Sequence, residues 1–172
     1  MRSAQDQIGA NEPFTPEMRS WMSSNMKQES TSQAQISSGA VEATVRLAHQ
    51  LGIARVNPVI LHESQHVSIR LFPADVVARV VVSADAEATR RMTRELRVAR
   101  HLIENAAPVV GPCAELPAGP HVEQGFVLTL WEFVEHTVAD GDNVEHVARA
   151  GAAPRRVHRD LSGFAVNYRT FS

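Results

Sequence analysis

The most suggestive chemical feature of this chain is an arginine set inside a β-branched run. Arg79 interrupts the stretch Val76 to Val82, and Glu95 follows sixteen positions later in a segment without Gly or Pro. A guanidinium can grip a phosphate through two parallel N–H bonds. Taken by itself, such an arginine is more often a strand-end residue paired at the surface, and such a glutamate a helix residue facing water. Glu95 also has Arg91 four residues before it, a modest surface pair on a helix. Other chemistry has less support. The eight histidines are scattered without metal-ligand spacing, and the single cysteine, Cys113, allows no internal disulfide.

The elements that would carry these residues read as follows. Residues 1–38 are rich in Ser, Gln, Asn and Met, and Ser23 to Ser38 holds only Met26 and Ile36 as large apolar residues. Such a segment buries too little surface to offset its chain entropy and is expected to be a disordered leader. Met18, Met22 and Met26 are alternative starts. A weaker alternative makes Phe14, Met18, Trp21 and Met22 one face of a short helix. From Gly39 onward, Val41, Val45, Leu47, Ala48 and Leu51 recur at helical spacing, and Gly52 stops the pattern.

Residues 54–82 read as a three-stranded antiparallel meander. Pro58 puts the first apolar run at an edge. Val67, Ile69 and Leu71 alternate with polar residues, and Val76 to Val82 suits a central strand. Asp85 can cap a long helix whose buried stripe is Met92, Leu96, Ala99 and Leu102–Ile103. After a turn-rich connection, Phe126, Leu128 and Leu130 begin a strand that runs on to Val134. Asp142 and Glu145 form a possible capping box for a last helix, interrupted by Gly151 and Pro154. The expected class is α+β, an antiparallel sheet of about five strands with one long packed helix.

Four segments resemble the phosphotransferase family of aminoglycoside phosphotransferases and choline kinases, which has a protein-kinase-like fold. They are LHESQHVSIRLFPADVVARV, RELRVARHL, APVVGPCAELPAGPHVEQGFVLTLWEFVEH and VEHVARA…RRVH, together covering roughly residues 55–160. The resemblance implies a kinase-like N-terminal (nucleotide-binding) lobe over residues 39–135. Residues 136–172 would then be the exit from the hinge and the first helix of an incomplete second lobe. It implies ATP as the cofactor, with a strand-borne cation on the phosphates and a helix-borne carboxylate that orients it. Arg79 stands where the family normally has Lys, and Glu95 is the expected carboxylate. A guanidinium is bulkier and less of a point charge than an ammonium, so it need not substitute cleanly. Glu132, Phe133 and Val134 fall where hinge backbone would hold adenine. The loop before Val67 has no glycine and cannot be a glycine-rich cradle. Ser64 and Gln65 could hydrogen-bond phosphate there, or the loop is a plain hairpin turn.

The segment HRDLSGFAVN at residues 158–167 looks like a kinase catalytic loop, in which Asp is the base and an Asn five positions later holds magnesium. Five after Asp160 is Ala165, and Asn167 is seven after. It also stands too close to the hinge, and the last residues look like a frame-shifted or spliced end. No catalytic or metal-binding residue is therefore assigned, and Mg2+ is expected only with a second lobe. The resemblance implies a fragment of an ATP-dependent small-molecule phosphotransferase that lacks the catalytic loop and is inactive alone, the full-length family taking a small-molecule hydroxyl acceptor. The alternatives are a non-catalytic nucleotide-binding or protein-interaction module, or a degraded gene product. A net charge of −2 gives no global attraction for nucleic acid or an anionic membrane. With no long apolar run and no apolar signal core at the N-terminus, a cytoplasmic location is expected.

Overall fold

The computed structural model describes residues 15–82, 84–136, 144–161 and 164. The chain divides into two units, residues 1–36 and 37–172. The first contains the start of helix α1 (Pro16–Gln50), in which Trp21 and Met26 are about two-thirds exposed. Residues 16–38, expected as a disordered leader, are therefore helical. The segment holds no Gly or Pro after Pro16, and Met, Gln, Glu, Lys and Ala are competent helix formers. Of the weaker short-helix reading, Met18, Trp21 and Met22 lie in α1 and are exposed, while Phe14 is outside the described residues.

The second unit is an α+β lobe. Strands β1 (Asn57–Glu63), β2 (Val67–Phe72) and β3 (Val76–Val81) form the meander. Helix α2 (Ala86–Glu104) follows, then β4 (His121–Glu123), β5 (Phe126–Glu132) and helix α3 (Val144–Leu161). The five strands make one antiparallel sheet in the order β1-β2-β3-β5-β4. Pro58 sits on the edge strand and the β-branched β3 at the centre, each as its chemistry requires.

Strand alternation sorts the side chains into two faces. Val67, Ile69 and Leu71 of β2, Val76, Ala78 and Val80 of β3, and Leu128 and Leu130 of β5 form one core with Ala40, Leu47 and Ala48 of α1. Small residues let α1 approach closely: a Cβ on Gly39 would stand 3.1 Å from the Phe126 ring. The helix ends as Gly52 implies. Gly52, at φ +89°, donates to His49 and Ile53 donates to Ala48, a paired closure of the last turn.

Val81, Val127 and helix α2 pack on the opposite face through Ala88 and Met92. The Asp85 carboxylate accepts from the Ala88 N–H at 2.6 Å, so the predicted cap is formed. Its loss is expected to matter. Asp85→Ala should lower stability by about 1 kcal/mol in urea denaturation; an unchanged midpoint would show that the cap contributes nothing.

Three local expectations need correction. Ile103, expected in the buried stripe of α2, is 43 % exposed, because Leu102 takes the inward position and the next residue lies about 100° round the helix. Strand β5 ends at Glu132 rather than Val134, since β3 offers no partner beyond Val76 and the chain leaves the sheet. Helix α3 runs through Gly151 and Pro154 without a break. Asp142, the other half of its proposed capping box, lies outside the described residues.

Candidate functional site

The face of the sheet that carries α2 also carries an open cavity of about 490 Å³. Strand parity builds its floor. With Val76, Ala78 and Val80 committed to the α1 core, Val77 and Arg79 must face the other way. Ser68 of β2 and Trp131 of β5 join them by the same alternation. Register brings them together: Ser68 pairs with Arg79, and Val77 with Trp131. Trp131 is held by its own strand, its indole N–H donating to the buried Thr129 hydroxyl at 2.9 Å.

Arg79 and Glu95 meet beside the Arg79–Thr129 rung of the β3–β5 ladder, away from the Val76–Glu132 rung at which residues 132–134 leave it. The guanidinium donates through Nη1 to the Glu95 carboxylate, across from strand to helix. Glu95 therefore pairs with Arg79 rather than making the predicted pair with Arg91. Both side chains are about one-third exposed, so the pair is open to solvent and to any ligand in the cavity. Burial, and secondarily the Arg91 charge, lowers the Arg79 pKa from the usual arginine value. An arginine so placed still carries its charge. Its Nε is buried and has no hydrogen-bond partner among the described residues.

The other end is walled by residues 132–134 and His136 where the chain leaves β5. Their path is set by backbone bonds on two sides. The Glu132 N–H donates to the Gly111 carbonyl at 3.0 Å, and the Phe133 N–H donates to the Asp75 carbonyl at 2.9 Å. Arg70 adds a third restraint. Its guanidinium carbon lies 3.5 Å from the Phe133 ring centroid, a cation–π contact, and it reaches the Asp75 carboxylate at 3.4 Å. His136 contributes Nδ1, 3.2 Å from the Val134 carbonyl. The mouth is apolar, with Leu61 and Val110 both nearly half exposed. Leu61 sits at the register shift between Ile60 and His62. Such a bulge re-aims a side chain that regular pairing would direct elsewhere.

Of the residues expected at a site, Arg79, Glu95, Glu132, Phe133 and Val134 line this one cavity. Ser64 does not. It is exposed at the β1–β2 turn with its N–H donating to the His66 carbonyl at 3.0 Å, and neither it nor Gln65 walls the cavity. The residue of that turn that does so is His66, whose Nδ1 lies 3.5 Å from Arg79 Nη2. Burial first, then the charges of Arg79 and His62, lower the His66 pKa from its ordinary value. Parity was the available signal: His66, Ser68 and Arg70 alternate with the core residues Val67, Ile69 and Leu71.

The segment resembling a catalytic loop is placed elsewhere. His158 to Leu161 form the last turn of α3, with Asp160 joined to Arg159 at 3.1 Å and its carbonyl 3.2 Å from His101 Nε2. Ala165 and Asn167 lie outside the described residues. Among the described residues, no three His, Cys, Asp or Glu side chains converge as metal ligands, and no helix is long and apolar enough to cross a membrane. No protein-family model matches the chain, and no curated protein shows significant similarity to it.

Proposed function

We propose that this chain is the nucleotide-holding lobe of an ATP-dependent small-molecule phosphotransferase, similar in plan to the aminoglycoside phosphotransferase and choline kinase family. The observation that carries the reading is one cavity with a strand cation and helix carboxylate, Arg79 and Glu95, at one end and the chain segment 132–134 at the other. The two ends suit the two halves of a nucleotide. The purine fits the apolar part between Leu61, Val77 and Val110, beside the backbone of residues 132–134. The phosphates fit against Arg79, whose remaining donors can bind oxyanions in pairs. A volume of about 490 Å³ is within the usual range for small-molecule sites.

Phosphoryl transfer also needs a base, Mg2+ and a place for the hydroxyl acceptor. The residues described here supply binding and orientation, and the reading assigns them that part of the reaction. Arg79 holds charge on the phosphates and Glu95 fixes the guanidinium's orientation. The identity of the acceptor belongs to the same proposal only at the level of a small hydroxyl compound. The related reading, a nucleotide-binding module without transfer, rests on the same cavity.

Fluorescence provides a direct test, because Trp131 walls the cavity. In a Trp21→Phe variant, which leaves Trp131 as the sole indole, ATP and adenosine should each change the emission saturably and compete with one another. Absence of a saturable response to either compound, with none by calorimetry on the unmodified chain, would remove the nucleotide reading.

A further inference from the structure

Resting on the nucleotide reading, we infer that His66 is a second phosphate ligand, which joins Arg79 by taking up a proton when a phosphorylated nucleotide binds. The usual glycine-rich cradle offers backbone N–H groups to phosphate. The turn between β1 and β2 has no glycine, and its tip residues Ser64 and Gln65 stay outside the cavity. What this turn sends to the cavity wall is an imidazole.

The geometry around that ring explains why an anion would seat there. His66 Nδ1 lies 3.5 Å from Arg79 Nη2, so two nitrogens that can both donate stand close together. Without an anion, a neutral ring accommodates the guanidinium by accepting from it. A protonated ring cannot accept, and two like charges at this distance repel. Burial first, then the neighbouring charges of Arg79 on β3 and His62 on β1, whose ring centroid is 6.4 Å from that of His66, favour the neutral state. Glu95 is the opposing charge, and it is engaged by Arg79. A phosphate oxyanion placed against both residues reverses the balance, because it accepts from both cations at once. The bound state then holds a proton that the free state lacks, so affinity rises as pH falls toward the free-state pKa of His66.

Calorimetry with ATP and adenosine, in buffers of different ionisation heat at pH 7, tests this on the whole chain with His66→Asn alongside. ATP titrates in its own right, so the quantity that matters is the difference between the two proteins. The unmodified chain should take up more protons on binding ATP than His66→Asn does. The variant should bind ATP about tenfold more weakly, the scale of losing one charged hydrogen bond. Adenosine should bind both proteins equally and without a difference in proton uptake, which also shows that the variant is folded. Equal proton uptake with ATP, or equal ATP affinity, would overturn the role of His66 while leaving the nucleotide reading intact. Failure of the unmodified chain to bind either compound would instead refute that reading.

Discussion

Arg79→Ala should weaken ATP binding by about ten- to a hundredfold, the range expected when a charge-assisted phosphate contact is lost. Adenosine affinity should be unchanged, because Arg79 lies at the end of the cavity away from residues 132–134. Calorimetry with both compounds measures the two halves separately. Stability is expected to change far less than affinity. The Arg79–Glu95 pair is one-third exposed on both sides, and ion pairs so open to water contribute about 0–1 kcal/mol. Arg79→Lys is the informative companion. It restores the positive charge but not the planar fork, so ATP binding should recover in part. If Arg79→Ala bound ATP as tightly as the unmodified chain, the guanidinium would be a structural partner of Glu95 and nothing more.

The Arg79–Glu95 pairing was expected only from the family resemblance, since local pattern makes each an ordinary surface residue, but local signals do fix where each one stands. Alternation across β2 and β3 sets the face of every residue, and the capped, unbroken α2 puts Glu95 three residues after the buried Met92. The meander and the edge position of β1 were legible for similar reasons. The first half of α1 was not, since its apolar residues are few and exposed and no packed stripe marks it as helical. Strand β4 was also hidden, having only three residues. Its trace is the turn that follows, where Gln124 and Gly125 both take positive φ, as a two-residue hairpin of type I′ requires. His66 was missed for a different reason. The family resemblance points to the polar turn-tip residues Ser64 and Gln65, whereas the parity of β2 decides which residue of the turn faces the cavity. The path of residues 132–134 depends on bonds to Gly111 and Asp75, contacts between distant segments that no local pattern encodes.

Met92→Ala should lower stability by about 2–5 kcal/mol. Met92 is 1 % exposed and packs with Ala88 and Val127, with Val81 beside them, so it fastens α2 to the two central strands. Truncation leaves a cavity beneath the helix that neighbouring β-branched side chains are too stiff to fill. Urea denaturation should report the loss as a shift in midpoint. The same substitution reaches the proposed site through geometry alone. Glu95 lies almost one turn beyond Met92 on α2, while its partner Arg79 belongs to β3. Loosening the helix therefore frees the carboxylate from the guanidinium without removing either group. ATP affinity of the folded protein should fall, whereas adenosine affinity should hold. Leu128→Ala separates the two effects. Leu128 is fully buried in the α1-facing core, so its loss should destabilise the protein comparably and leave Glu95 seated. If both variants lowered ATP affinity equally at matched loss of stability, the docking of α2 would have no special part in orienting Arg79.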